Sequence, residues 1–162
     1  MGRHILRAAT SGPTIFVSFA GPVVNSKGTP VTDAMGRIFP ILVANNYTRA
    51  MVLGTCSFPA QEDKGALKWK LSIILVKIIG GSAYEEFKQL GTLVTSQDVS
   101  KLRWTLYRVP FLNNGPSAPV MATYTGSGND GMTLSRKSLA NWLLGEMLEG
   151  SYWVGKAPVL SD

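Results

Sequence analysis

Two short apolar runs separated by a helical pattern constrain the fold of this chain more than any other feature. Residues 14–20 are rich in β-branched and aromatic side chains, and residues 50–54 form a second apolar run. Between them, Thr29, Pro30 and Asp33 fit the N-cap and the first turn of a helix. A strand, a helix and a strand within about forty residues form a βαβ unit, which favours parallel pairing. The sequence therefore predicts an α/β fold with a mainly parallel sheet, and the 14–20 run is predicted to be a strand buried on both faces.

The rest of the chain continues the alternation. Two helices are predicted over residues 65–79 and 82–96, divided by Gly80-Gly81, and a third strand over residues 103–109. A shorter strand is predicted over residues 121–125, and a candidate edge strand within residues 151–160. Between these two strands, Ser135 is placed to cap a helix that contains Leu139, Trp142, Leu143 and Met147. We expect residues 15–20, 50–54 and 104–109 to be parallel neighbours, and residues 1–162 to form one domain.

Composition excludes several classes of function. Cys56 is the only cysteine and His4 the only histidine, so we expect no disulfide within the chain and no metal site built on imidazole or thiolates. The net charge is +6, but most lysines and arginines are scattered, so we expect no nucleic-acid partner. The most apolar run, residues 71–79, is far shorter than the ~20 residues of a membrane span and contains Lys77. We expect no membrane span and a cytoplasmic protein.

Three predicted strand ends carry the candidate binding site. In an open parallel sheet, ligands bind beyond the carboxyl ends of the strands. The alternative is that glycine and proline simply end these strands, as they do in many proteins. Because the three ends recur at one edge of one sheet, we expect a cleft there, lined by three triplets: Ala20, Gly21 and Pro22; Thr55, Cys56 and Ser57; Pro110, Phe111 and Leu112.

Tyr84 and Lys88 are the candidate catalytic pair. They lie four residues apart in a predicted helix and therefore share a face. A lysine beside a tyrosine favours the phenolate, which lets the tyrosine exchange a proton with a substrate. A Tyr-x-x-x-Lys spacing is also common by chance, so an exposed amphipathic helix is the alternative.

Three further patterns have structural interpretations that we favour. The only histidine, His4, is remote in sequence from Cys56, and there is no other histidine to activate the thiol. Cys56 is therefore interpreted as a small buried hydrophobic residue. The glycine-rich segment 126–131 is interpreted as a turn, because residues 133–135 separate it from the next helix and no Lys-Ser/Thr ending follows. The helix that carries three lysines fits a membrane surface or a partner, but we favour a core-packed helix with a solvated basic edge; its residues are Lys68, Lys70 and Lys77 with Leu67, Leu71, Ile74 and Ile78.

The order of the motifs resembles a known family. The motifs, in chain order, are the 16–21 strand, Gly28-Thr29-Pro30 at a helix start, the 53–57 segment, the 104–110 strand, Gly126-Ser127-Gly128, Leu134-Ser135-Arg136 and Lys156-Ala157-Pro158. In this order and spacing, from about Leu6 onward, they resemble the fungal members of the atypical short-chain dehydrogenase/reductases that carry an NAD(P)-binding, NmrA-like or biliverdin-reductase-B-like domain. The resemblance implies a partial Rossmann-like domain.

The resemblance also implies a cofactor and places residues around it. The cofactor would be NAD or NADP, with NADP favoured, and Ala20, Gly21 and Pro22 would line it. Thr55, Cys56 and Ser57 would lie beside the nicotinamide, and Pro110, Phe111 and Leu112 would cover it. Tyr84 and Lys88 fall near the family's Tyr/Lys region.

The glycine fingerprint that binds the pyrophosphate in that family is the part this sequence lacks. By the resemblance, the chain begins within the helix that leads to the family's fourth strand and is truncated at its N-terminus. We therefore expect weak dinucleotide binding, in roughly the millimolar range, and self-association through the exposed edge of the first strand.

Two functions follow from the resemblance. The first is an oxidoreductase that moves a hydride between nicotinamide and a small organic substrate, with Tyr84 or Ser57 as the proton donor. The alternative is a non-catalytic remnant, regulator or partner-binding module of the same fold.

Overall fold

The computed structural model describes residues 12, 14–22, 27–148 and 150–162. His4 and residues 23–26 of the loop after the first strand lie outside the described residues. The elements in chain order are β1 (Ile15–Ser18), α1 (Pro30–Ala44), β2 (Arg49–Gly54), α2 (Leu67–Gly80), α3 (Ser82–Thr95), β3 (Arg103–Arg108), β4 (Phe111–Asn113), β5 (Met121–Thr123), β6 (Thr133–Ser135), α4 (Arg136–Glu146) and β7 (Val159–Ser161).

The main sheet has the strand order β1-β2-β3-β7-β5, which confirms the predicted mainly parallel α/β fold. Val17 pairs with Met51, and Met51 pairs with Thr105, so β1, β2 and β3 are parallel neighbours as expected. Strand β7 continues the parallel order and β5 runs antiparallel to it. Among the described residues, β1 has a strand partner on one side only.

The sequence interpretation of the tail as an edge strand is wrong. Strand β7 lies between β3 and β5, and Val159 and Leu160 are fully buried. Their apolar side chains contribute to the core, as those of a central strand must. A second sheet pairs β4 with β6 in parallel and was not predicted, because three-residue strands are too short to show a periodicity.

Strands β2 and β3 divide the core between the two faces of the sheet. Ala50 and Val52 belong to one hydrophobic cluster with Trp104 and Leu106, and this cluster contains side chains of α1 and α3. The intervening residue Met51 belongs to the cluster on the opposite side, with residues of α4. β2 is therefore buried on both faces, as a buried strand is predicted over residues 50–54. The prediction of burial on both faces is wrong for β1, in which only Ser18 is buried, because β1 has a strand partner on one side only among the described residues.

The interpretation of α2 as a core-packed helix is wrong for the residues on which it was based. The side chains of Leu67, Leu71, Ile74 and Ile78 are all more than half exposed. Trp69, on the opposite side of the helix, is the residue that is buried. The periodicity identified a helical face correctly, but a helix with two apolar faces gives no sequence signal that distinguishes the inner one.

Glu86 on α3 supplies the N-terminal cap of α1. Thr29 occupies the N-cap position as predicted, but its side chain makes no capping hydrogen bond. Instead, the backbone N–H groups of Val31 and Thr32 donate to the fully buried Glu86 carboxylate at 3.1 and 2.8 Å, and the Thr32 hydroxyl donates to it at 2.6 Å. A carboxylate in this position satisfies free helix donors and complements the helix dipole.

Replacing Glu86 is therefore expected to destabilise the fold. Glu86→Ala leaves the N–H groups of Val31 and Thr32 without their acceptor, and we expect it to lower the free energy of unfolding by about 2–4 kcal/mol. Glu86→Gln keeps one acceptor oxygen and should cost less. The matched control is Glu85→Ala on the exposed side of the same turn, expected to cost less than about 1 kcal/mol. Equal losses for Glu86→Ala and Glu85→Ala in urea unfolding would contradict this account.

Candidate functional site

A cleft of about 200 Å³ lies where β2 and β3 end. Its walls come from the segment after β2, the segment after β3, the inner face of α2 and the start of α3. The lining residues are Thr55, Cys56, Ser57, Trp69, Ser72, Ile73, Val76, Ala83, Phe87, Val109, Pro110 and Phe111. None of them carries a formal charge, and the polar side chains are hydroxyls and one indole.

Two of the three predicted strand-end segments contribute to this cleft. Thr55, Cys56 and Ser57 line it from the end of β2, and Pro110 and Phe111 line it from the segment after β3. The Ser57 side chain is buried, and its backbone N–H donates to the Thr55 hydroxyl at 3.3 Å. Adjacent parallel strands therefore bring these two segments together, as their position in the sequence implies.

The remaining predicted binding residues lie outside the lining. Ala20, Gly21 and Pro22 follow β1, where a β-carbon added to Gly21 would lie 3.3 Å from the ring of Phe87, a lining residue. Gly21 therefore lies next to a lining residue, outside the lining itself. Leu112 packs instead with the core cluster that contains α4.

Tyr84 and Lys88 share a helix, as predicted, but neither lines the cleft. Their neighbours Ala83 and Phe87 do, because these two residues face the cleft from the same helix. The ring of Tyr84 lies instead beside α2, with the Lys77 ammonium 5.4 Å from its centroid. Lys88 is exposed.

The sequence interpretation missed the wall formed by α2. Trp69, Ser72, Ile73 and Val76 line the cleft at the spacing of one helical face. That spacing was present in the sequence, but the exposed leucines and isoleucines of the same helix show it equally well. Only the Trp69 indole on one face and the lysines at the borders distinguish the two faces of α2 in the sequence.

Asp130 fixes the orientation of α2. Its carboxylate accepts a hydrogen bond from the Trp69 indole N–H at 2.5 Å. It also forms an ion pair with the Lys68 Nζ at 3.1 Å. The backbone N–H groups of Gly126 and Gly128 donate to the same carboxylate at 2.6 and 3.2 Å. This confirms the segment as a turn, and these two amides are already occupied by a carboxylate from the turn itself.

These hydrogen bonds also change the acidity of Asp130. Burial alone would raise the pKa, but hydrogen bonds from Gly126, Trp69 and Lys68 lower the pKa of Asp130 to about 2. The ionised carboxylate is therefore the form that holds α2 against the turn.

A buried ion pair holds the segment after β2 against β3. The Arg108 guanidinium is fully buried and donates to both carboxylate oxygens of Asp63, at 2.6 and 2.8 Å. It also donates to the carbonyl oxygens of Ala157 at 2.8 Å and Phe58 at 3.2 Å. Burial alone would raise the pKa of Asp63, but the hydrogen bonds and charge of Arg108 lower it below its usual value.

Cys56 is in the cleft but is not activated. Burial raises the pKa of the Cys56 thiol to about 12, so the thiolate is scarce at neutral pH. This agrees with its interpretation as a small buried side chain. Within the described residues, no group of three or more His, Cys, Asp or Glu residues is arranged to hold a metal ion.

The sequence matches no protein-family model, and no curated protein matches it significantly. Solved structures show the fold. A short-chain dehydrogenase/reductase from Veillonella parvula DSM 2008 has a TM-score of 0.71 at 12% identity, over 98% of this chain and 66% of its own; it was also solved in complex with NADP. An anaerobillin reductase from Escherichia coli O157:H7 has a TM-score of 0.68 at 11% identity, over 98% of this chain and 69% of its own.

A Rossmann-fold NAD(P)-binding family protein from Shigella flexneri has a TM-score of 0.66 at 12% identity, over 99% of this chain and 65% of its own. The chain thus spans about two thirds of the length of these three structures. At such identities the likeness shows the fold alone, a partial Rossmann-like α/β domain. No helix in the described part of the chain is long and apolar enough to cross a membrane.

The depressed pKa of Asp130 predicts acid lability. A carboxylate whose pKa is lowered by folding stabilises the protein above its unfolded pKa of about 4, and this stability is lost as the pH falls towards 2. Asp130→Asn cannot titrate, so the difference in unfolding free energy between wild type and Asp130→Asn should shrink by about 2 kcal/mol between about pH 5 and pH 2. For the exposed Asn129→Ala in the same turn, the difference from wild type should stay constant. A constant difference for Asp130→Asn would refute the assignment.

Proposed function

We propose that this chain carries the nicotinamide side of an NAD(P)-dependent oxidoreductase that moves a hydride between the cofactor and a small organic substrate. The observation that supports this most is the uncharged cleft at the carboxyl ends of two adjacent parallel strands. In doubly wound sheets this is where ligands bind. The motif order links the chain to the fungal, NmrA-like or biliverdin-reductase-B-like branch of the atypical short-chain dehydrogenase/reductases.

The size and lining of the cleft suit a ring rather than a whole dinucleotide. Its volume of about 200 Å³ is below the roughly 300–1,000 Å³ typical of sites that enclose an entire small molecule. Ile73, Val109 and Phe111 offer apolar contacts to a flat ring, and the Thr55 hydroxyl offers a hydrogen bond to a carboxamide. When bound, the nicotinamide would supply or accept the hydride, and these residues would orient it and exclude water.

Two places in the described part of the chain that could receive phosphates are already occupied by carboxylates. The α1 N-terminus, which follows β1, is occupied by the Glu86 carboxylate. Two amides of the glycine-rich turn are occupied by Asp130. We therefore propose that this chain binds a complete dinucleotide only in roughly the millimolar range. NADP is favoured over NAD, since one protein of similar fold was solved with NADP.

The same occupied sites support a second candidate function. A domain whose anion sites are filled by its own carboxylates suits a non-catalytic regulator or partner-binding module of this fold. The edge of β1 that lacks a strand partner among the described residues would then be a surface for self-association. Absence of NADPH-dependent turnover would favour this second function.

Ser57 is the proton donor that the geometry favours. It lies in the cleft beside the proposed ring site, whereas Tyr84 lies outside the lining and packs against Lys77. As a substrate carbonyl is reduced, its oxygen would take up a proton from the Ser57 hydroxyl, and solvent would return a proton to Ser57 after the product leaves. Lys88, exposed on α3, would act only if a conformational change brought Tyr84 into the cleft.

Turnover of NADPH with a panel of carbonyl, ene and flavin-like substrates tests this assignment. Ser57→Ala should lower kcat about a hundredfold at unchanged cofactor Kd, because it removes the proton donor and leaves the contacts with the cofactor in place. Tyr84→Phe, which removes only a hydroxyl outside the cleft, should leave kcat within about twofold. Full turnover by Ser57→Ala, or a large loss in Tyr84→Phe, would reverse the assignment.

A further inference from the structure

The outer face of α2 is an apolar surface open to solvent. Five of its side chains are more than half exposed, from 51% for Leu75 to 76% for Ile78; the others are Leu67, Leu71 and Ile74. They recur at positions 67, 71, 74, 75 and 78, which form one continuous stripe along a helix. A contiguous stripe of large aliphatic side chains is unusual on a soluble surface and marks an interaction site.

This outer stripe cannot turn inward in the folded protein. The opposite face of α2 is fixed to the cleft by buried Trp69, whose indole donates to Asp130. Lys68 makes a second contact with the same carboxylate. The helix therefore has two apolar faces, and the one that carries Trp69 packs against the rest of the domain.

Lysines border the outer stripe on both sides. On a helical projection, Lys70 and Lys77 flank one side, and Lys68, whose ammonium is paired with Asp130, flanks the other next to Leu75. All three lysines are exposed, and α2 contains no acidic residue. An apolar stripe with a basic border, here Lys70 and Lys77, is the pattern of a helix that lies flat in an anionic lipid interface.

We propose that α2 docks the protein onto the surface of an anionic lipid bilayer, without crossing it. The stripe would enter the boundary between headgroups and acyl chains, and the stems of Lys70 and Lys77 would extend their ammonium groups to the lipid phosphates and carboxylates. At 1.5 Å per residue, the 14 residues of α2 offer a strip roughly 21 Å long.

Charge distinguishes this occupant from a second copy of the chain. Two copies packed stripe to stripe would bring the lysine borders together between bodies of net charge +6. That arrangement is repulsive, whereas anionic lipid neutralises the same lysines. The proposal does not depend on the cleft's function, because the outer stripe and the cleft lie on opposite faces of the helix.

Co-sedimentation with vesicles tests the proposal on the full chain. We expect binding to phosphatidylcholine vesicles that contain phosphatidylserine, weakened by salt, and little binding to phosphatidylcholine alone. The double variant Leu71→Ser/Ile78→Ser should bind about a hundredfold more weakly, because it removes two aliphatic side chains that lipid would bury. Lys70→Gln should bind about fivefold more weakly and show less salt dependence.

The matched control is Leu144→Ser on α4, which changes an equally exposed leucine outside the stripe. It should bind like wild type, and all variants should keep the wild-type melting temperature because they change exposed side chains. Binding that is absent, indifferent to phosphatidylserine, or retained by the double variant would overturn the proposal. Light scattering that shows a dimer dissolved by the double variant would instead assign the stripe to a second copy.

Discussion

The buried guanidinium of Arg108 is the interaction on which the cleft depends. Arg108 ends β3, and Asp63 belongs to the segment that leaves β2, so their ion pair joins the two strand ends that form the cleft walls. Asp63 also accepts N–H groups of Ala60 and Thr125, which extends the same support to the chain after β5. Removing one partner of such a pair leaves a buried charge uncompensated, at a cost of about 3–5 kcal/mol.

A second carboxylate couples the cleft to the surface. Asp130 holds the Trp69 face of α2 inward, which defines one cleft wall and at the same time presents the outer stripe to solvent. Glu86 plays a similar part between α3 and α1. Each of the three carboxylates binds donors from distant parts of the chain, so the site is positioned by polar contacts around its rim, while its interior stays free of charge.

The sequence predicted features that depend on local pattern and failed where partners are distant in the chain. The apolar run of β2 indicated a buried strand, and parallel pairing with β3 then brought Ser57 and Pro110 to one edge. The pairing of Arg108 with Asp63, 45 positions apart, leaves no periodic signal. Helix α2 was placed correctly but oriented wrongly, because both faces are apolar and contacts with the distant Asp130 fix the inner one. The proposed roles of Tyr84 and Ser57 stay predictions.

Saturation-transfer NMR with NADPH tests most directly whether the cleft receives a nicotinamide ring, and it suits weak binding. We expect the nicotinamide protons to receive more saturation than the adenine protons. Val76→Trp, which fills the cleft, should abolish the nicotinamide signal, and Leu75→Trp, one residue away on the outer face, should preserve it. Saturation confined to the adenine protons, or a nicotinamide signal that survives Val76→Trp, would contradict the account.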